Sequence, residues 1–225
     1  MPQLQGVLLD IDGTLVLSNE AHARAWSDAL GEAGYDVPAE RIVGLIGMGG
    51  DRVLPALVDG LDDETEPGKT ISRRRGEIFL EHYAPDLEAA PGSRELVERI
   101  RADGLRIVAA SSAKENELKV LLRIAGVDDL IDVSTSSDDA ESSKPAPDIV
   151  QVALERSGLA AEAAIMIGDT RYDIESAGRA GVGVIAVRCG GWDDAGLAGA
   201  LAIYDDPADL IARYGDSPLA LARAR

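Results

Sequence analysis

Runs of apolar residues alternate with amphipathic segments along most of the chain. Short runs that are apolar almost throughout are typical of strands buried on both faces of a sheet. The runs that predict strands are Gly6–Asp10, Leu105–Ala110, Leu130–Ser134, Ile165–Ile167 and Val182–Val187, with Ala202–Tyr204 as a candidate edge strand.

Amphipathic segments lie between these runs and predict helices. They are Glu95–Ala102, Glu115–Ala125, Asp148–Arg156 and Ile174–Ala180. A glycine follows each of them closely, as expected, because glycine readily adopts the left-handed conformation that ends a helix. The alternation predicts an α/β protein with a Rossmann-like parallel sheet and helices on both faces.

The region between Leu15 and Leu105 breaks this alternation, because it shows helical patterns and no strand signal. We therefore predict a catalytic core formed by residues 1–15 and 91–225, with a helical cap domain formed by residues 16–90. A segment rooted directly after a strand end is well placed to close over a site at that end. An ordinary second subdomain without motion fits the same pattern.

Polar residues predict where the helices of this region begin. Ser18 and Asn19 are candidate caps for the first helix, and Asp51 is a candidate cap for a later one. The basic run Arg73-Arg74-Arg75 lies in a longer helical pattern. We interpret it as a solvated helix face, which is the more common role of such a run.

The chain has 225 residues and a formal net charge of −18, with a sequence pI of about 4.4. An acidic surface repels phosphate backbones and anionic lipids, so neither nucleic acid nor a membrane is expected as a partner. Cys189 is the only cysteine, so no intrachain disulfide can form. The sequence shows no signal peptide and no membrane-spanning run. We expect a cytoplasmic protein that is a monomer or a homodimer.

Asp10 and Asp12 stand two residues apart at the end of the first apolar run. Residues two apart on a strand point to the same side, so their carboxylates are expected next to each other. Such like charges need a compensating cation, and Mg²⁺ prefers oxygen ligands. Gly13 lets the backbone turn close to a bound group. A carboxylate beside a second carboxylate and a metal is a candidate nucleophile with its own acid–base partner.

Polar groups also follow the other predicted strands. The segments are Ser111-Ser112-Ala113-Lys114, Ser143-Lys144-Pro145 and Gly168-Asp169-Thr170-Arg171-Tyr172-Asp173. Ligands of open parallel sheets bind beyond the carboxyl ends of the strands, so these segments are expected to meet the aspartate pair there. Together they predict a divalent-cation site beside an anion site, and these parts suit phosphoryl transfer.

Each of these residue types has a place in such a reaction. Asp10 can attack phosphorus, while Mg²⁺ is held by Asp10, Asp169 and a backbone oxygen near Asp12. Ser111 can hold a phosphate oxygen. Lys144 can supply a fixed positive charge to the phosphate and to the nucleophile.

The ordered set resembles the haloacid dehalogenase superfamily. The motifs are Asp10-Ile-Asp12-Gly13-Thr14, a strand that ends in Ser111, Ser143-Lys144-Pro145, and Gly168-Asp169 followed by Asp173. The resemblance covers essentially the whole chain. The position of the helical segment is similar to that of the cap in phosphoglycolate-phosphatase-like and β-phosphoglucomutase-like members.

The resemblance implies roles for particular residues. Asp10 would be the nucleophile that forms an aspartyl-phosphate, and Asp12 the general acid and then the base. Ser111 and Lys144 would stabilise the phosphate. The implied Mg²⁺ ligands are Asp10, Asp12, Asp169 and Asp173. The candidate substrate-binding residues are Gly13, Thr14, Ser112, Lys114, Gly49 and His22.

Two of these residues belong to the helical segment and have competing interpretations. Gly49 lies in Gly47-Met48-Gly49-Gly50, which either offers backbone N–H groups to the substrate or serves as a hinge. His22 begins the pattern His22-Ala-Arg-Ala-Trp26, which is similar to a cap helix of β-phosphoglucomutase-like proteins. In the competing interpretation, His22 is a residue of the helix surface or of an interface.

The function favoured by these motifs is a Mg²⁺-dependent phosphatase that acts on a small phosphorylated metabolite, because a cap excludes bulky substrates. A phosphomutase is the nearest alternative, with Lys114 at a matching phosphate position but Gly47–Gly50 where a phosphate-gripping arginine is typical. A dehalogenase is less favoured because it needs no Mg²⁺ and typically lacks the second aspartate. A non-catalytic binding protein on the same fold is a further alternative.

Overall fold

The computed structural model describes residues 3–223 and shows a six-stranded sheet. The strands are β1 (Gly6–Leu9), β2 (Arg106–Ala110), β3 (Val133–Thr135), β4 (Ala164–Gly168), β5 (Gly183–Val187) and β6 (Ala202–Tyr204). Their order is β3-β2-β1-β4-β5-β6, and every pair is parallel. This confirms the predicted α/β, Rossmann-like fold, with β1 at the centre of the sheet.

The helices fall into two groups. Those between β1 and β2 are α1 (Asn19–Glu32), α2 (Ala39–Ile42), α3 (Gly50–Leu57), α4 (Gly68–Ile78) and α5 (Ser93–Ala102). Those after β2 are α6 (Glu115–Ile124), α7 (Asp148–Ser157), α8 (Arg171–Arg179), α9 (Pro207–Ala212) and α10 (Pro218–Arg223). A π-helical turn, Phe79–Tyr83, extends α4.

The central strand has no exposed side, which explains why its sequence is apolar throughout. Leu8 and Leu9 are both fully buried, and they belong to different apolar clusters. Because neighbouring strand residues point to opposite faces, each cluster covers one face of the sheet. Because β1 is packed on both faces, its carboxyl end is held in place. The aspartate pair, which follows that end, is therefore held in place as well.

The third predicted strand is displaced. The sequence predicts Leu130–Ser134, whereas β3 is Val133–Thr135. Leu130 is buried, but its N–H donates to the carbonyl of Val127 in a turn. Leu130 is therefore apolar because it packs in a turn against the core. A short apolar turn and a short buried strand have the same sequence pattern, so periodicity alone does not distinguish them.

The residues from 16 to 90 form helices α1–α4 with connecting turns, and we call them the helical insert. Its two ends lie side by side, since Val16 and Ala89 form an antiparallel bridge. The Ala90 N–H also donates to the Leu15 carbonyl at 2.8 Å. The predicted division into a core and a cap domain, with its limits at 15 and 91, stays a prediction. Within residues 3–223, no helix is long and apolar enough to cross a membrane.

Leu8→Ala should lower the free energy of unfolding by about 2–5 kcal/mol, because it removes a fully buried side chain from the central strand and leaves a cavity. Urea denaturation followed by circular dichroism would measure this. Leu221→Ala is the matched control, since Leu221 is 56% exposed and should cost less than about 0.5 kcal/mol. Equal losses in the two variants would contradict the assignment of Leu8 to the core.

Candidate active site

Asp10 follows β1 directly and is 5% exposed. Its Oδ1 accepts a hydrogen bond from Lys144 Nζ at 2.5 Å, and its Oδ2 accepts one from Thr14 Oγ1 at 3.1 Å. The same Thr14 hydroxyl lies 3.1 Å from Asp169 Oδ1. The structure therefore brings the first and last predicted motifs together at the carboxyl edge of the sheet.

Three buried carboxylates form an acid cluster that consists of Asp10, Asp169 and Asp173. One ligand oxygen from each lies within 4.8 Å of the others. Lys144 is fully buried, and its Nζ lies 2.7 Å from Asp173 Oδ1. Asp173 Oδ2 also accepts from the N–H and hydroxyl of Thr170, which is the N-cap of α8. The cluster thus holds three potential negative charges against one ammonium group.

Burial and the neighbouring charges shift the pKa values of the groups in this cluster. Burial raises the pKa of Asp10 from 3.8 to about 7, although the charge of Lys144 opposes the shift. Burial, and then the charge of Asp10, raise the pKa of Asp169 well above its usual value. For Lys144, burial would lower the pKa, but Asp10 and Asp173 raise it overall, so the ammonium form persists. One ammonium group does not compensate three carboxylates. Their oxygens are hard donors, so a divalent cation could bind them and supply the missing positive charge.

Asp12 takes a different environment. Its Oδ1 accepts from Ser18 Oγ at 2.5 Å and from His22 Nε2 at 2.7 Å. Burial would raise its pKa, but the charge and hydrogen bond of His22 lower it overall. The sequence predicted Asp12 as a metal ligand. Among residues 3–223, the carboxylates that lie close enough together to share a metal ion are those of Asp10, Asp169 and Asp173. In this structure the Asp12 side chain is held by Ser18 and His22.

The two serines after β2 are arranged differently. Ser111 is fully buried, and its Oγ accepts from the Ala113 N–H at 3.0 Å. Ser112 lines the cavity next to Asp10, and its Oγ has no hydrogen-bond partner among the described residues. A phosphate oxygen at this point would satisfy that hydroxyl. Gly13 has a φ of +74°, and a Cβ there would collide with Asp169, so only glycine fits the turn.

Two predicted substrate residues stand apart from this centre. Lys114 is exposed, precedes α6 and is not among the residues that line the cavity. Gly49 does line the cavity, but its N–H donates to Ser143 Oγ at 2.9 Å. Asp51 of the insert also accepts from Ser143, through the hydroxyl at 2.5 Å and the backbone N–H at 3.1 Å. The Gly49 N–H therefore binds the core in this structure and is not free for a substrate.

His22 is buried at 5% exposure, so the interpretation as a helix-surface residue is wrong. Its ring stacks on Phe79 with the centroids 3.9 Å apart. Its Nδ1 lies 3.5 Å from Arg75 Nη1, while its Nε2 contacts Asp12. His22 therefore links the helical insert to the acid–base candidate.

Sequence reasoning missed several residues of this site. Arg75 is 7% exposed and Glu117 is 1% exposed, and they form an ion pair at 2.6 Å between α4 and α6. The solvated-face interpretation is therefore wrong for Arg75. Helical spacing contained the signal, because Arg75 falls four residues after Ile71 and three before Ile78, both of which are buried.

Asn19 was also missed as a site residue. Its Nδ2 donates to Asp169 Oδ2 at 2.8 Å and to the Gly190 carbonyl at 2.8 Å. Neither Ser18 nor Asp51 acts as the side-chain cap that the sequence predicts. Ser18, Asn19 and Asp51 instead direct their polar atoms from the insert into the core.

A small cavity separates the insert from the sheet edge, with about 40 Å³ open to the centres of water molecules. Its lining includes Asp10, Asp12, His22, Trp26, Met48, Arg75, Ser112 and Glu117. That space accommodates only a few waters, since a single water needs about 10–15 Å³ by this measure. The water-accessible part of this cavity is therefore narrow in the arrangement that the structure shows.

The sheet order and the acid cluster at its carboxyl edge define the class of open, parallel α/β-sheet proteins that bind ligands beyond their strand ends. The model of the haloacid dehalogenase-like hydrolase family matches residues 7–187. The chain belongs to this family, which confirms the resemblance drawn from its motifs.

Known proteins similar to this chain include enzymes of that family. Phosphoglycolate phosphatase of Rhodospirillum rubrum is 32% identical over 216 residues, which cover 92% of this chain and 89% of that protein. The crystal structure of a hydrolase from Pseudomonas syringae has a TM-score of 0.87 at 29% identity, covering 96% of this chain and 99% of that one.

A longer relative also matches. Protein SUPPRESSOR OF QUENCHING 1, chloroplastic, of Arabidopsis thaliana is 30% identical over 189 residues. The match covers 83% of this chain but only 18% of that protein, so this chain spans less than a fifth of its length.

Metal-free protein should lose stability through Asp10 as the pH rises. The pKa of Asp10 is raised from 3.8 to about 7 in the folded protein, so its stabilising effect is complete below about pH 4 and is lost as the pH rises through 7. Asp10→Asn removes this titration. The free energy of unfolding of the variant minus that of the wild type should therefore grow between about pH 4 and pH 8, by up to about 4 kcal/mol.

Urea unfolding in EDTA at several pH values would measure this difference. Leu221→Ala, which removes no titratable group from an exposed position, is the control and should show a difference that does not change with pH. A pH-independent difference for Asp10→Asn would show that Asp10 ionises normally.

Proposed function

We propose that this chain is a Mg²⁺-dependent phosphatase that hydrolyses a small phosphorylated metabolite through an aspartyl-phosphate on Asp10. The observation that carries the proposal is the placement of Asp10. One carboxylate oxygen is fixed by Lys144, the acid cluster lies beside it, and Asp12 lines the same cavity. Membership of the haloacid dehalogenase-like hydrolase family and a relative named phosphoglycolate phosphatase support a phosphatase.

In the first step an Asp10 oxygen attacks phosphorus, and the bond from phosphorus to the leaving-group oxygen breaks. Asp12 donates a proton to that oxygen. His22 lowers the pKa of Asp12 in the free protein, so the carboxylate is its resting form. A negatively charged ester brought against Asp12 favours its protonated form, which the acid step needs.

In the second step Asp12 accepts a proton from water as the water oxygen attacks the phosphorus of the aspartyl-phosphate. The bond between phosphorus and the Asp10 oxygen breaks, which restores the Asp10 carboxylate and releases inorganic phosphate. Lys144 remains next to Asp10 throughout and offsets the charge on the phosphate. The unpartnered Ser112 hydroxyl is placed to donate to a phosphate oxygen.

The residues that would hold Mg²⁺ are Asp10, Asp169 and Asp173. When bound, the ion would supply positive charge to the phosphate and to the nucleophile. Asn19 holds Asp169 from the insert, and Gly190 allows the backbone to approach the same carboxylate. The positions of these carboxylates are therefore set by groups outside the strand ends.

The helical insert acts, in this proposal, as a cap domain that opens for substrate entry. The small cavity supports this, as do the polar contacts that join insert and core. They include Asp51 with Ser143, Arg75 with Glu117, and the Tyr172 hydroxyl donating to the Gly44 carbonyl at 2.8 Å. Polar contacts of this kind can exchange with water, so the closed form can be left at modest cost.

We also propose a cytoplasmic location and a monomeric or homodimeric state. The high negative charge supports the absence of nucleic-acid and membrane partners. The same charge works against an anionic substrate. Local cations at the site, Lys144 and the bound Mg²⁺, would have to overcome it.

Asp12→Asn should lower kcat by about 10²–10⁴-fold, because the amide can neither donate nor accept the proton of the two steps. The loss should be smaller for p-nitrophenyl phosphate than for an alkyl phosphate, since nitrophenolate leaves without protonation. Steady-state phosphate release from both esters would measure this. Asp36→Asn, exposed in the insert, is the control and should retain full activity. An equal loss for both esters would remove Asp12 from the acid role.

Mg²⁺ should raise the Tm of the wild type and leave that of Asp169→Asn unchanged, because the variant loses one ligand of the cluster. The rise should be larger at about pH 8 than at about pH 5, since protons compete with the metal for the raised carboxyl groups. Thermal unfolding with Mg²⁺ and with EDTA would measure this. A pH-independent rise would place the ion elsewhere.

Phosphate release from a panel of small esters, with Mg²⁺ and with EDTA, tests the activity itself. We expect Mg²⁺-dependent release that EDTA abolishes and that Asp10→Asn lacks. The panel includes β-glucose 1-phosphate assayed for glucose 6-phosphate. Formation of glucose 6-phosphate without net phosphate release would replace the phosphatase with a phosphomutase, and metal-independent release of phosphate would contradict the Mg²⁺ dependence.

A further inference from the structure

Arg75 and Glu117 form a buried ion pair inside the active-site cavity. Arg75 Nη1 donates to Glu117 Oε2 at 2.6 Å, and both side chains line the cavity. One residue comes from the insert and the other from the core, so the pair forms where the two parts close on each other. The proposed chemistry uses neither residue.

The pair leaves two polar atoms unsatisfied. Arg75 Nε, a donor, and Glu117 Oε1, an acceptor, are buried and have no hydrogen-bond partner among the described residues. A buried polar atom without a partner is destabilising, because it has lost its hydrogen bonds to water. A ligand that supplies both an acceptor and a donor would remove this cost.

The pair lies in the same cavity as Asp12. His22 bridges the two regions, since its Nε2 is 2.7 Å from Asp12 Oδ1 and its Nδ1 is 3.5 Å from Arg75 Nη1. Asp12 is the proposed proton donor to the leaving-group oxygen. Arg75 is therefore one imidazole ring away from the carboxylate of that proton donor.

The charges around the Arg75–Glu117 pair favour a leaving group with a hydroxyl over one with a carboxylate. Arg75 is already neutralised by Glu117, and Asp12 is a further carboxylate in the same cavity. A substrate carboxylate here would face two acidic groups, and the basic side chains among the described residues that line the cavity, Arg75 and His22, are already paired. A hydroxyl group can accept from Arg75 Nε and donate to Glu117 Oε1 without adding charge.

We propose that Arg75 and Glu117 are specificity-determining residues that select phosphate esters with a neutral, hydroxylated leaving group, as in polyol and sugar phosphates, over esters with a carboxylate. The inference rests on the proposed phosphatase function. A site built to hydrogen-bond a substrate hydroxyl rejects an analogue that cannot satisfy both polar groups.

The test compares two esters of nearly equal size. 2-Hydroxyethyl phosphate ends in a hydroxyl group, and 2-phosphoglycolate ends in a carboxylate. The wild type should show a kcat/KM at least about tenfold higher for 2-hydroxyethyl phosphate. Glu117→Gln leaves Arg75 uncompensated, so it should shift the ratio at least about tenfold towards 2-phosphoglycolate.

Glu115→Gln is the matched control. Glu115 lies on the same helix and is exposed, so this variant removes the same charge outside the cavity and should leave the ratio unchanged. A wild-type preference for 2-phosphoglycolate would overturn the proposal. Equal shifts in the two variants would overturn it as well, since long-range charge would then explain the effect.

Two further measurements keep the test decisive. If Glu117→Gln does not fold, the double variant Arg75→Met/Glu117→Leu replaces the pair with apolar side chains and should lose the preference. Titration calorimetry with the Asp10→Asn variant separates recognition from turnover. Tighter binding of 2-hydroxyethyl phosphate would sustain the inference even if neither ester is hydrolysed, whereas equal binding would end it.

Discussion

Lys144 Nζ lies 2.5 Å from Asp10 Oδ1 and 2.7 Å from Asp173 Oδ1, with its whole side chain buried. Removing these charges from water costs several kcal/mol for each ion, and only close pairing offsets that cost. The pairing requires β1, the loop after β3 and the start of α8 to meet at one point. The arrangement of the sheet and the formation of the charge cluster therefore depend on each other.

The helical insert completes this centre rather than merely covering it. Asn19 reaches Asp169, and both Ser18 and His22 reach Asp12. Since these residues begin α1 and lie in its first turns, any motion of the insert that shifts α1 also alters the environment of both aspartates. In the proposed function, an opening of the insert for the substrate would therefore also change the contacts of the acid–base candidate. The Arg75–Glu117 pair adds a contact that forms only when insert and core approach.

Much of the fold follows from patterns that one sequence contains. Continuous apolar runs identify β1, β2, β4 and β5, because strands covered on both faces tolerate few polar residues. The third strand was misplaced, since an apolar turn such as that of Leu130 has the same composition as a short strand. Helix α8 begins at Arg171, earlier than its apolar pattern predicts, because Thr170 and Asp173 form a capping box.

By itself, the sequence determined the class of the fold and the chemical groups that follow each strand, because strand ends and short motifs are local properties. Only the tertiary structure decided how those groups are partnered. It placed Asp12 with Ser18 and His22 and left the metal position to the acid cluster. It also paired Arg75 with Glu117, which lies 42 residues away. The physical reason is that such partners meet across distant elements, and no local spacing records which side chains face each other once the core is packed.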